Sequence, residues 1–175
     1  ALEKLEGVRR EPGDEWSPAE YVARALDDPR VPRKLHRWAL RMLPPAHPSL
    51  TLDRLQSYFH GDDPALRMET VRTFRDGQHA ERGRLLAQLA ADETLAADLR
   101  AEAIVGLSSA IPDERQALLQ LAASPAGAVR NEALRSLRGT EFNDATRAVL
   151  RQSAGSDPCA TELVDRLVSP TPPTD

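Results

Sequence analysis

Catalysis or metal binding needs nucleophiles, bases or ligating side chains brought together, and the histidines are the first place to look for them. The four stand as His36-Arg37, His47-Pro48, His60-Gly61 and His79-Ala80, so none belongs to the His-Glu pairs that a carboxylate-bridged iron site uses. His60-Gly61-Asp62-Asp63 gathers an imidazole and two carboxylates in one short stretch. Gly and Asp ahead of Pro64 are ordinary turn residues, however, and a zinc site needs further ligands of the right spacing. Cys159 is the sole cysteine, which excludes an internal disulfide framework and a CxxCH haem attachment. No glycine-rich phosphate loop and no Gly-x-Ser-x-Gly elbow occurs. The sequence therefore points to a protein that is not an enzyme, with no cofactor and no metal.

The residues left to recognise a partner are charged or aromatic, and they recur at a fixed interval. The segment VRNEALRSL from Val129 has counterparts in LRMETVRTF from Leu66, LRAEAIVGL from Leu99, LHRWALRML from Leu35 and, more worn, CATELVDRL from Cys159. Successive copies lie about 30 to 33 residues apart, a period that belongs to stacked helix pairs. On a helical wheel at 100° per residue, Trp38, Glu69, Glu102, Glu132 and Glu162 form one outward column. Arg41, Arg72, Val105, Arg135 and Asp165 form the next. The candidate partner-binding residues are Trp38, Arg41, Glu69, Arg72, Glu102, Val105, Glu132 and Arg135. Glu69 with Arg72 and Glu132 with Arg135 are three apart, close enough to pair along one helix for a few tenths of a kcal/mol. Both columns are expected to stay hydrated. Arg41 stands beside Trp38 where the other copies have Glu, so its charge is expected to lack an acid and to act with the indole as a hot spot.

These columns must be positioned by an apolar arc on the opposite side of the same helices. The arc contains Leu35, Leu66, Leu99, Val129 and Cys159; Ala39, Thr70, Ala103, Ala133 and Leu163; Leu43, Phe74, Leu107, Leu137 and Leu167; and Leu40, Val71, Ile104, Leu134 and Val164. Cys159 is expected to be a buried thiol there. His36, Arg67, Arg100, Arg130 and Ala160 fall inside the arc. A guanidinium so placed must find an acceptor, either an acid such as Asp63 or Asp98 or the free carbonyls that end a neighbouring helix. Between the copies lie partner helices at Ala19 to Leu26, Leu50 to Phe59, His79 to Ala91, Asp113 to Ala123 and Asn143 to Ala154, with Leu55, Leu86, Leu119 and Leu150 facing inward. Ser17-Pro18 reads as a helix start with Ser as N-cap, and Asp28-Pro29, Asp63-Pro64, Ser124-Pro125 and Asp157-Pro158 read as the same device. Asp92-Glu93-Thr94 replaces it in the third copy. Asp76-Gly77 and Gly139-Thr140 link hairpins, while Pro44-Pro45-Ala46-His47-Pro48 is expected to stay extended.

Short helix pairs with an Asp-Pro start, an arginine on the buried face and the closing pattern of VRNEALRSL resemble HEAT-like repeats of the short variety found in bilin-lyase-type proteins. The resemblance covers roughly Ala19 to Val168. It implies an all-α fold, a right-handed α-solenoid of about five stacked helical hairpins, and a non-catalytic scaffold that binds other proteins. The alternative it implies is an accessory domain of a larger bacterial enzyme or cytochrome-type redox protein. Copies one and five, with His36 and Ala160 in place of the arginine, depart from the pattern and are expected to cap the ends.

Composition bounds the rest. With 175 residues, 41% of them apolar and few aromatic, the chain can bury one core built mainly from Leu, Ala and Val. A net charge of −4 gives no footprint for nucleic acid. No apolar run reaches the roughly 20 residues that span a bilayer, so a soluble protein is expected, with no membrane insertion. The skew from lysine to arginine fits a GC-rich bacterial genome, and cytoplasm and periplasm remain equally open. The expected organisation is a capping helix and loop over 1–16, the repeats over 17–168 and a Pro-rich disordered tail over 169–175.

Overall fold

Half of the described helices of this chain start at side-chain caps, and the computed structural model describes residues 17–168. The described residues form α1 (Pro18–Asp27), α2 (Arg33–Met42), α3 (Leu52–Phe59), α4 (Pro64–Asp76), α5 (Arg82–Ala91), α6 (Ala97–Ile104), α7 (Pro112–Leu121), α8 (Gly127–Ser136), α9 (Asp144–Ala154) and α10 (Pro158–Val168), with no strand among them. The capping helix expected over 1–16 and the tail over 169–175 lie outside the described residues. Ser17 and Glu20 form a reciprocal capping box at the start of α1, each side chain bonding the other's backbone N–H. Asp63 accepts from the Ala65 and Leu66 amides, Asn143 from Thr146 and Asp157 from Cys159 and Ala160. Each satisfies amides that the first turn leaves without an intrahelical acceptor.

Two of the five expected starts are something else. Asp28 closes α1 and holds Arg30 through that residue's amide and guanidinium, so Asp28-Pro29 is a turn and α2 begins only at Arg33. Ser124-Pro125 likewise precedes α8 by a turn, with Ser124 Oγ accepting from the Ala126 amide. In both places the Asp or Ser side chain bonds the amide two residues on, closing a turn before the helix begins. The Pro44 to Pro48 link is not extended either. The His47 amide closes on the Pro44 carbonyl and the Leu50 amide on the His47 carbonyl, giving two successive turns that bring Leu50 into the core.

Packing follows the apolar columns. Every odd-numbered helix lies against the even-numbered helix that follows it, and α2, α4, α6, α8 and α10 lie one against the next. Leu40, Val71, Ile104, Leu134 and Val164 are all buried, as are Ala39, Thr70, Ala103, Ala133 and Leu163. Each fully buried Leu or Ile contributes about 1.5 to 3 kcal/mol relative to exposure, and the alanines between them let helix axes approach. In α7 the inward residue is Leu118, fully buried, and not Leu119, which is partly buried at the edge of the core. The third copy is cut short: α6 ends at Ile104, and just beyond it the chain packs so closely that a Cβ on Gly106 would stand 2.5 Å from Leu86 Cδ1 and 2.7 Å from Arg75 Cγ. The Gly106 carbonyl instead accepts from Arg82 Nη1 at 2.6 Å.

Cys159 corrects another expectation, because it is exposed. It sits in the opening turn of α10, with Ala160 and not Cys159 turned inward, and no further hairpin among the described residues covers that edge.

Candidate partner-binding face

The arginines of the apolar arc settle which charges belong to the interior. Arg100 is only 7% exposed, and its Nε donates to the Ala90 carbonyl at 2.9 Å, one of the acceptors left free at the end of α5. Arg67 Nε donates to the Gly61 carbonyl at 2.6 Å. Arg130 reaches the Ser124 carbonyl and the Asp157 carboxylate. The acid partner is thus Asp157, from the next hairpin, and neither Asp63 nor Asp98. Main-chain hydrogen bonds to Ala160 together with Arg130 hold Asp157 below the usual carboxylate range.

His36 occupies the same place in α2 and fares differently. Its ring is 9% exposed, lies edge-on to Tyr58 at 5.4 Å, and both nitrogens are sealed from solvent without a hydrogen-bond partner. Burial pushes its pKa below the ordinary imidazole value. A main-chain contact with Val31, outside good hydrogen-bond geometry, opposes that shift, while Arg33 and Arg54 reinforce it.

On the other side of the even-numbered helices the candidate residues come together in a different arrangement from the one their spacing predicts. Trp38 is 49% exposed, with Arg37 Cζ 5.4 Å and Arg41 Cζ 5.1 Å from its ring centre. Arg41 does not lack an acid: its Nε donates to Glu69 Oε2 at 2.6 Å across the α2–α4 contact. Glu69 is not hydrated either. It is 6% exposed, because the helix stacked beside it covers its stem while the guanidinium satisfies its carboxylate. Arg72 stands 3.7 Å from Glu69 on its own helix but 3.3 Å from Glu102 on the next, and Arg75 Nη1 reaches Glu102 Oε1 at 2.6 Å. The ion pairs therefore run from helix to helix, α2 to α4 to α6. Asp76, hydrogen-bonded by Arg75, is held below the usual carboxylate range, and Arg75 is raised in turn.

The relay ends at Val105, which is 48% exposed and stands where the next arginine would be. Glu132 then pairs with Arg135 of its own helix at 2.9 Å, as the spacing predicts. Glu162 in α10 pairs with Arg166. Spacing did not reveal Arg75, which lies outside both columns, nor Met42, the exposed neighbour of the Trp38 cluster.

A cavity of about 620 Å³ opens beside Trp38, lined mostly by apolar side chains of α1, α2 and the turn between them, with His36 and the Asp28–Arg30 ion pair also in its wall. Among the described residues no cluster of three or more His, Cys, Asp or Glu could hold a metal, and no helix is long and apolar enough to cross a membrane. Nor does any family model, curated protein or solved structure match this chain.

Proposed function

We propose that residues 17–168 form a right-handed solenoid of five HEAT-like hairpins that serves as a non-catalytic scaffold for a protein partner, docked along the even-numbered helices. The pairwise packing supports this reading, since each even-numbered helix lies between its own hairpin partner and the next even-numbered helix, the arrangement expected of stacked repeats. The observation that carries the binding assignment is the half-exposed Trp38 ring flanked by two guanidiniums. Beside the ion pairs that join α2, α4 and α6, the indole and the Val105 side chain are exposed apolar groups that gain from being covered.

A photo-crosslinking residue placed at Trp38 or Val105, compared with one at Val149, tests it in cells that make the protein. Val149 is more exposed than either but lies on the odd-numbered helix α9. Covalent capture of a defined protein from positions 38 and 105 but not from 149 is the expected result. Capture from 149 alone, or from none of the three, overturns the assignment.

A further inference from the structure

Charge is distributed along this chain far less evenly than its net value suggests. Between Pro29 and Leu52 stand Arg30, Arg33, Lys34, Arg37 and Arg41 without one Asp or Glu, in a chain whose net charge is −4. Three of these cations are engaged inside the protein: Arg30 with Asp28, Arg33 with the Ser57 carbonyl and Arg41 with Glu69. Lys34 and Arg37 form no ion pair among the described residues, and Arg37 Nε is buried with no hydrogen-bond acceptor. Both lie within one helical turn of Trp38. The adjacent cavity, walled mostly by apolar side chains including Trp38 and Met42 but also by His36 and by Asp28, whose carboxylate is already neutralised by Arg30, is large enough for one bulky side chain.

Building on the scaffold reading above, we infer that this end of the molecule binds an acidic amphipathic segment of the partner, which inserts an apolar side chain into the cavity and sets one or two carboxylates on Lys34 and Arg37. Two available cations match a pair of carboxylates. They do not match a nucleic-acid backbone, which is gripped at about six to ten phosphates, and such a backbone continuing over α4 and α6 would meet Glu69 and Glu102. The guanidinium of Arg37, already stacked on the indole, offers the planar donor edge that a carboxylate accepts in bidentate fashion. Covering Trp38 and Met42 supplies the apolar part of the affinity.

The test selects binders from a random peptide library on the full-length chain and measures each chosen peptide by calorimetry. Recovered peptides are expected to carry net negative charge and a large apolar residue. Their affinity is expected to fall about tenfold or more in Trp38→Ala and in Lys34→Glu/Arg37→Glu, and to weaken as salt rises from about 50 to about 500 mM. The exposed Lys34→Glu single variant, checked by circular dichroism, keeps the test valid if Trp38→Ala fails to fold. Neutral or basic peptides, or acidic ones indifferent to Lys34→Glu/Arg37→Glu, overturn the inference. So does competition by oligothymidine or phosphatidylserine vesicles with the same residue dependence. A peptide whose affinity rises about tenfold in full-length Glu3→Lys/Glu6→Lys also overturns it, since residues 1–16 would then be the occupant. Binders abolished by Val105→Glu but indifferent to changes at α2 would sink this inference and leave the scaffold reading intact.

Discussion

His36 and Arg100 hold the same place on the first and third copies of one helix, yet one is stranded and the other is anchored. Arg100 reaches past its own helix to the carbonyl that ends α5, so burying its charge also satisfies a helix end. The shorter imidazole of His36 reaches no such acceptor, and what it offers instead is ring packing against Tyr58. At this position the central hairpin is stapled by a strong hydrogen bond, while the first relies chiefly on ring packing. A repeated position is defined by its surroundings as much as by its register.

Breaking the staple is expected to have the largest effect. Arg100→Ala leaves the Ala90 carbonyl without its donor and opens space in the core, at a cost of about 1 to 3 kcal/mol in a denaturant titration. An unchanged midpoint would mean that the Ala90 carbonyl is satisfied equally well by water. The stranded member responds to pH. An unfolded imidazole takes up a proton near 6.5 while folded His36 resists it, so the unfolded state binds more protons and stability is lost as pH falls through and below that value. For one site the slope is at most about 1.4 kcal/mol per pH unit. His36→Phe is expected to flatten the fall in melting temperature between about pH 7 and pH 5, and identical pH profiles for the two proteins would show that other groups set it.

The outer surface sharpens the same contrast on a smaller scale. Arg41→Ala removes the main counterion of a buried carboxylate, but the arginine is half exposed, so a loss of about 1 kcal/mol is expected. A double-mutant cycle with Glu69→Ala should return a coupling energy of that order, and a coupling near zero would mean that Arg72 takes over the carboxylate. Smallest of all is Glu132→Ala, which breaks only an exposed i,i+3 pair worth about 0.2 to 0.5 kcal/mol. A larger loss would place Glu132 in contacts beyond Arg135.

The helical class and the buried columns were legible in the sequence because period 3.6 and the 30-residue interval act together over five copies. Cys159 was misread because the wheel carries no information about helix ends, where a residue can occupy the correct angle and still have no neighbour. Glu69 was misread for a related reason. A wheel treats each helix singly, and the arginine that buries Glu69 comes from the preceding copy, 28 residues away. From α2 to α6 the charges of the two columns pair between helices, and only from Glu132 onward do they pair along one helix as the wheel suggests. The basic run from Arg30 to Arg41 was present in the sequence and disappeared in the net charge of the whole chain.

Val105 has a mechanical consequence. Among the described residues, no ion pair or side-chain hydrogen bond joins α6 to α8, whose contact is made by Leu99, Ala103, Ile104, Val129, Ala133 and Leu134. Hydrogen-bonded charges resist sliding because they are directional, whereas apolar surfaces lose little when one glides over the other. The three helices joined by ion pairs form a stiff segment. A joint held by apolar packing alone is expected to yield in torsion more readily than one held by directional ion pairs, a difference that site-specific labels across α4–α6 and α6–α8 can compare.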